Sequence, residues 1–130
     1  MIKTLYKRPL GFSTVKLISE ADFTPQVLQA TTPVIVHFSA PWCGLCRLIE
    51  PLLAQLQEQY GSQLQVIAVN ADESLHLATH YRLRMLPTLL VIQDGQVKHR
   101  LETFQTRDQL YQQLHQAVQA VLTVPSVASV

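Results

Sequence analysis

Cysteine is nearly absent: Cys43 and Cys46 are the only two in 130 residues. Two cysteines cannot build a disulfide scaffold or a four-cysteine zinc site. An excess of one charge is lacking too. Ten Lys+Arg against nine Asp+Glu leave a formal net charge of +1, which gives no footprint for nucleic acid. No apolar run approaches the roughly 18 residues that a membrane span needs. Residues 1–14 are basic (Lys3, Lys7, Arg8) but hold no continuous apolar core and no Ala-x-Ala site, so they do not read as a secretory signal. Repeats and low-complexity tracts are missing. Apolar material is ample, at 48% of the chain, and the length fits one domain.

The two cysteines stand three apart in Ala40-Pro41-Trp42-Cys43-Gly44-Leu45-Cys46-Arg47. That stretch joins a short apolar run, residues 34–38, to a long helical pattern. A cysteine at the first turn of a helix meets the positive end of the macrodipole and free backbone N–H groups. Both favour the thiolate, which is the nucleophile. The second cysteine lies one turn on, on the same face, within reach of a small disulfide ring. The local physics predicts an exposed, activated Cys43 and a more buried Cys46 that resolves a mixed disulfide. A CxxC pair with no other cysteine fits a reducing compartment, and the cytoplasm is the expected location.

The pattern along the chain reads βαβαββα. Residues 15–18 predict a first strand. Ser19 and Asp22 form a weak capping box before a short helix bearing Phe23, Val27 and Leu28. Residues 34–38 are apolar on both faces except at His37, as in a central strand covered on both sides. A helix over 43–60 buries Leu45, Leu48, Ile49, Leu52, Leu53, Leu56 and Tyr60 in one stripe, with Pro51 inside and Gly61 as C-cap. Residues 64–69 predict a parallel strand, and 73–81 a shorter helix. Residues 89–92 and 97–101 flank Asp94-Gly95 as a hairpin. Thr106 to Gln109 is a capping box opening the last helix, with Leu110, Leu114, Val118 and Val121 on one face. Three segments follow: an arm over 1–14, a domain over 15–122 and a tail over 123–130.

Trp42-Cys43-Gly44-Leu45-Cys46 after an apolar strand resembles the active site of the thioredoxin family. The resemblance runs from about residue 15 to about residue 121 and includes Pro51, Asp72, Tyr81 and Met85-Leu86-Pro87-Thr88. It implies the thioredoxin fold, a three-layer α/β/α arrangement with a mixed sheet of about four to five strands. It implies a redox-active Cys43–Cys46 disulfide, with Cys43 as nucleophile and Cys46 as resolving cysteine. Trp42, Gly44, Leu86, Pro87 and Thr103 would meet the substrate, with Pro87 in a cis peptide bond that frees the Leu86 backbone to pair with an extended chain. Disulfide-containing proteins are the implied partners, and a thioredoxin reductase, flavin- or ferredoxin-linked, is the implied electron source. The protein is expected to be monomeric and to need no cofactor or metal. His76 and His80 stand four apart on a helix but have no evident third ligand.

The departures from the family pattern are specific. Leu45 stands in place of a proline and predicts a shifted redox potential, toward the less reducing side. His37 stands in place of a buried aspartate that handles the Cys46 proton. Its imidazole either takes that proton as a neutral base or merely hydrogen-bonds its surroundings. Ser39 replaces a tryptophan, Ala68 a lysine and Met85 a glycine. Thr103, beside Glu102, replaces the small residue at the groove floor. Met85, Glu102 and Thr103 predict a narrower, more polar groove. The chain therefore reads as an atypical thioredoxin, a protein disulfide reductase with altered substrate range or weak general activity. The competing reading is a binding module of the same fold with little turnover. A lower-ranked one has two chains sharing a metal or iron–sulfur cluster through their CxxC pairs.

Overall fold

The computed structural model describes residues 15–123. The expected arm over 1–14 and, apart from Thr123, the expected tail over 123–130 lie outside the described residues. Five strands form one mixed sheet in the order β1-β3-β2-β4-β5: β1 Lys16–Ile18, β2 Val34–Ser39, β3 Gln65–Asn70, β4 Thr88–Gln93 and β5 Gln96–Leu101. The strands β1, β3 and β2 are mutually parallel; β4 runs antiparallel to β2, and β5 to β4. Among the described residues three α-helices accompany them: α1 Gly44–Tyr60, α2 Leu75–His80 and α3 Arg107–Thr123. Thr123 thus ends the last helix rather than beginning a tail.

The strand β2 sits at the centre because its side chains are apolar in both directions. Ile35 points to one face, where α1 supplies Ile49, Leu52, Leu53 and Leu56 and α3 supplies Leu110, Leu114 and Val118. Val34, Val36 and Phe38 point to the other, among Phe23, Val27, Ile67 and Val69. Full burial of each such side chain is worth about 1.5–3 kcal/mol. The layers are therefore helix, sheet and helix-like cover, as expected.

The cover on the second face differs from expectation. Residues after β1 form a 3-10 turn, Glu20–Asp22, then a π-type turn, Thr24–Leu28, instead of one α-helix. Pro25 stands at the start of the second turn, where it removes an N–H and disfavours α geometry at Thr24. The Ser19–Asp22 capping box does not form either. Ser19 Oγ donates to the Asp22 carboxylate at 3.2 Å and caps no backbone N–H. Phe23 and Val27 still reach the core, so their spacing served burial without an α-helix.

Elsewhere local chemistry decides the joints. The helix α1 runs through Pro51 and stops at Gly61, whose φ of 56° suits glycine. Gln57 fastens that end to β3: its Nε2 donates to the Leu64 carbonyl at 2.6 Å, and its Oε1 accepts from the Val66 N–H at 2.8 Å. A 3-10 turn, Ala71–Glu73, takes the first part of the helix expected over 73–81. Asp94 and Gly95 have φ of 54° and 76°, which matches the twist of the β4–β5 hairpin. At the start of α3 the Gln109 N–H donates to Thr106 Oγ1 at 3.0 Å. The Gln109 side chain closes on the Gln105 N–H, one residue before the expected partner.

Candidate functional site

Cys43 is the N-cap of α1, and it is bonded to Cys46 in a disulfide with Cα atoms 5.3 Å apart. The Cys46 N–H donates to Cys43 Sγ at 3.1 Å. The same N–H and the helix N-terminus would hold a negative sulfur there once the bond is reduced. The turn is fixed by Cys43 N–H to the Ala40 carbonyl at 3.1 Å. Cys43 is 6% exposed and Cys46 1%. The asymmetry is as expected, but an openly exposed Cys43 is not found. The capping role turns its side chain inward, toward the Cys46 N–H.

Trp42 is 68% exposed, beside the dithiol, and its Nε1–H donates to the Asp72 carboxylate at 2.7 Å. The bond fixes the indole edge and leaves its apolar face to solvent. A Cβ at Gly44 would meet nothing within 4 Å, so that position faces open space. Leu45 and Leu48 are also well exposed, which corrects their place in the buried stripe. The inward face of α1 begins instead at Cys46 and Ile49.

Strand register brings the remaining loops to the dithiol. Phe38 pairs with Thr88, so Pro87 stands beside the end of β2 that leads into residues 40–43. The Leu86–Pro87 peptide is cis. Thr88 Oγ1 donates to the Met85 carbonyl at 2.8 Å, and Met85 is 44% exposed. Leu89 pairs with Leu101, so the chain after β5 carries Glu102 and Thr103 back toward Thr88 and Pro87. Thr103 is exposed in that loop. Glu102 does not project as a free charge. Arg100 bonds one carboxylate oxygen and Arg84 the other, and the bond from Arg100 holds this carboxyl below its usual range. Arg100 also donates to the Tyr81 and Arg82 carbonyls, at 2.6 and 2.9 Å, which ties β5 to the loop before Leu86.

His37 lies on the α1 side of the sheet, opposite Ala68 in β3 and Leu89 in β4. It has no exposed area, and burial alone lowers its pKa to about 4. The ring is therefore neutral at pH 7. Neither ring nitrogen has a hydrogen-bond partner among the described residues. The small residues Ala68 and Ser39 leave room beside it. A cleft of about 280 Å³ opens there, lined by His37, Ser39, Arg47, Glu50, Ala68 and Asn70 among others.

Arg47 is a site residue that sequence reasoning missed. Its Nη1 donates to the Pro41 carbonyl at 2.8 Å and clasps the loop carrying Trp42 and Cys43. Its place one turn after Cys43 was the only available signal. His76 pairs with Glu20 at 3.2 Å on an open surface, and His80 packs edge-on against Tyr81. Among the described residues no group of three His, Cys, Asp or Glu could hold a metal, and no helix is long and apolar enough to cross a membrane.

The comparisons with known proteins agree with this geometry. A family model described as Thioredoxin matches residues 14–116. Thioredoxin 1 of Synechococcus elongatus is 40% identical over 84 residues, covering 65% of this chain and 78% of that protein. A thioredoxin-like protein of Synechocystis is 38% identical over 94 residues, covering 72% and 90%. The chloroplastic M-type thioredoxin of Pisum sativum is 37% identical over 84 residues, covering 65% and 49%. With a matching family model over most of its length and a disulfide-linked CxxC at a helix N-terminus, the chain belongs to the thioredoxin family and is a thiol–disulfide oxidoreductase of thioredoxin type.

Proposed function

We propose that the chain reduces protein disulfides through Cys43, with Cys46 as the resolving group. The Cys43 thiolate attacks one sulfur of a substrate disulfide. A mixed disulfide forms, and the other substrate sulfur leaves and takes up a proton. Cys46 then gives up its proton and attacks Cys43 Sγ. The mixed disulfide breaks, the second substrate thiol departs, and two electrons have passed from the dithiol to the substrate. The single observation that supports this order is the Cys46 N–H aimed at Cys43 Sγ on the helix N-terminus, with Cys43 the more accessible of the two.

The other roles follow from position. Trp42 offers a flat apolar face to the substrate, and Gly44 leaves the approach open. Leu86 lends its backbone to an extended substrate, while Pro87 adds no N–H near the sulfurs. Thr103 and Met85 narrow that groove, and this favours a restricted set of protein partners. His37, neutral and on the α1 side of β2, is the residue we assign as acceptor for the Cys46 proton. A thioredoxin reductase, flavin- or ferredoxin-linked, resets the dithiol in a reducing compartment, the cytoplasm.

The test is dithiothreitol-driven reduction of insulin, beside Cys43→Ser and Cys46→Ser. Turnover above background that disappears in Cys43→Ser supports the reading. Equal rates in parent and Cys43→Ser contradict it. A Cys43–Cys46 disulfide that forms without insulin turnover favours the crowded groove around Met85 and moves the binding-module reading forward.

A further inference from the structure

Arg100 joins the two segments that carry Leu86 and Thr103, the walls of the substrate groove. Its Nη1 donates to the Tyr81 carbonyl at 2.6 Å and its Nη2 to the Arg82 carbonyl at 2.9 Å. Its Nε donates to the Glu102 carboxylate, one residue before Thr103. A planar guanidinium presents these donors in one fixed fork, so the three acceptors are held in a set relation to one another.

The two carbonyls sit where the chain needs holding. Tyr81 is the C-cap of α2, and Arg82 has a φ of 53°, a left-handed turn that is unfavourable for a residue with a side chain. The Arg82 N–H donates to the Thr79 carbonyl at 3.0 Å and the Leu83 N–H to the Ala78 carbonyl at 2.9 Å, which closes the helix end. The Tyr81 and Arg82 carbonyls lie beyond that closure and take the Arg100 fork. From there the chain runs through Leu83, Arg84 and Met85 to Leu86 and its cis bond to Pro87. The fork itself stands on a firm base, because Arg100 pairs in the sheet with Leu90, a fully buried residue of β4. The Arg100 and Glu102 side chains are partly covered, which strengthens their bond against an exposed pair. Arg84 reaches the other Glu102 oxygen at 3.4 Å from a largely exposed position, a weaker second tie between the same segments.

We propose that Arg100 is a positioning residue for substrate recognition: by gripping the Tyr81 and Arg82 carbonyls and the Glu102 carboxylate together, it sets the spacing of the Leu86 and Thr103 walls and so fixes how an extended substrate chain lies beside Cys43. A groove held open in advance spares the substrate the cost of ordering two loops. The bonds of Arg100 go to the walls and not to the dithiol, so its effect falls on the chain around the substrate cysteine and not on the Cys43 thiolate. The inference rests on the reading of Leu86, Pro87 and Thr103 as the substrate groove.

The test compares two small mixed disulfides, each with thionitrobenzoate on its cysteine. One carries free cysteine, and the other an extended peptide with no charged side chain. The protein is the full chain bearing Cys46→Ser, reduced. The Cys43 thiolate attacks the cysteine sulfur, a new disulfide forms, and the thionitrobenzoate thiolate leaves with the electron pair of the broken bond. Its colour gives the rate. With Arg100 present the peptide should react faster than cysteine. Adding Arg100→Met should lower the ratio of the two rates by about tenfold, the scale of one hydrogen bond to a charged group. Arg100→Lys keeps the stem and the charge, and so the fold, but a single ammonium does not serve three acceptors in a fork. The ratio should fall there too. A ratio within twofold of the Arg100 protein in Arg100→Lys overturns the proposal, as does an equal fall of both rates, which would place the effect on the thiolate. A peptide that reacts no faster than cysteine with Arg100 present overturns the groove reading and the proposal with it. Failure of both disulfides to react overturns the assignment of Cys43 as nucleophile, on which both depend.

Discussion

The two faces of β2 are made from one strand and serve different ends. On one face Val34, Val36 and Phe38 are fully buried, and Phe38 lies 6.0 Å from the Tyr81 ring. Phe23 lies 5.9 Å from the same ring. On the opposite face only Ile35 follows that rule. His37 and Ser39 come next, and the packing gives way to a cleft of about 280 Å³ as the strand nears the disulfide. The apolar face holds the fold in place. The mixed face holds a buried imidazole beside a hollow.

The sharpest way to separate the faces is a pair of substitutions measured under reducing conditions. Cys43→Ser should lower insulin turnover to background and leave the unfolding midpoint within about 0.5 kcal/mol of the parent, as expected for a site with no packing change. Phe38→Ala should do the reverse, costing about 3–5 kcal/mol in urea unfolding. A Phe38→Ala protein as stable as the parent would break the comparison at its stable side.

Acid sharpens it further. The folded state keeps His37 neutral, with a value of about 4 against an ordinary 6.5. Its protonation therefore favours the unfolded chain. The stability tied to it is complete above about pH 6.5 and is lost as pH falls toward 4, by about 3 kcal/mol. In His37→Leu, urea unfolding between pH 6.5 and 4 should show an acid loss smaller by about that amount. The same acid loss in both proteins would mean that the mixed face does not govern acid lability.

Legibility in the sequence followed the same division. The strand over 34–38, the helix after Cys43 and the hairpin at Asp94-Gly95 were legible because neighbouring residues carry their own signals: a short apolar run, a helical stripe after the cysteine, and a turn pair suited to positive φ. The segment after Ser19 was not read correctly, because Pro25 overrode an apolar spacing that looked helical. Leu45 and Leu48 misled because apolar spacing alone does not say which side chains are covered; both are exposed. The place of His37 on the buried strand was visible from its neighbours. Its missing partners were not, since they depend on Ala68 and Leu89, far along the chain. The Arg47 clasp on the Pro41 carbonyl was hidden because a carbonyl has no sequence signature.

The smallest expected effect lies at the rim. Asp72→Asn weakens the bond that fixes the Trp42 edge, which is worth about 0.5–1.5 kcal/mol. Insulin turnover should fall by a few-fold and indole fluorescence should change, with stability nearly unchanged. A loss as large as that of Cys43→Ser would instead place Asp72 in the sulfur chemistry.

The most direct measurement is a covalent trap. Cys46→Ser, reduced and mixed with a disulfide-containing protein, should accumulate a mixed disulfide that peptide mapping places on Cys43, and Cys43→Ser should accumulate none. An adduct on Cys46 in Cys43→Ser, formed as fast as the one on Cys43, would contradict the assignment of nucleophile and resolving cysteine on which the account depends.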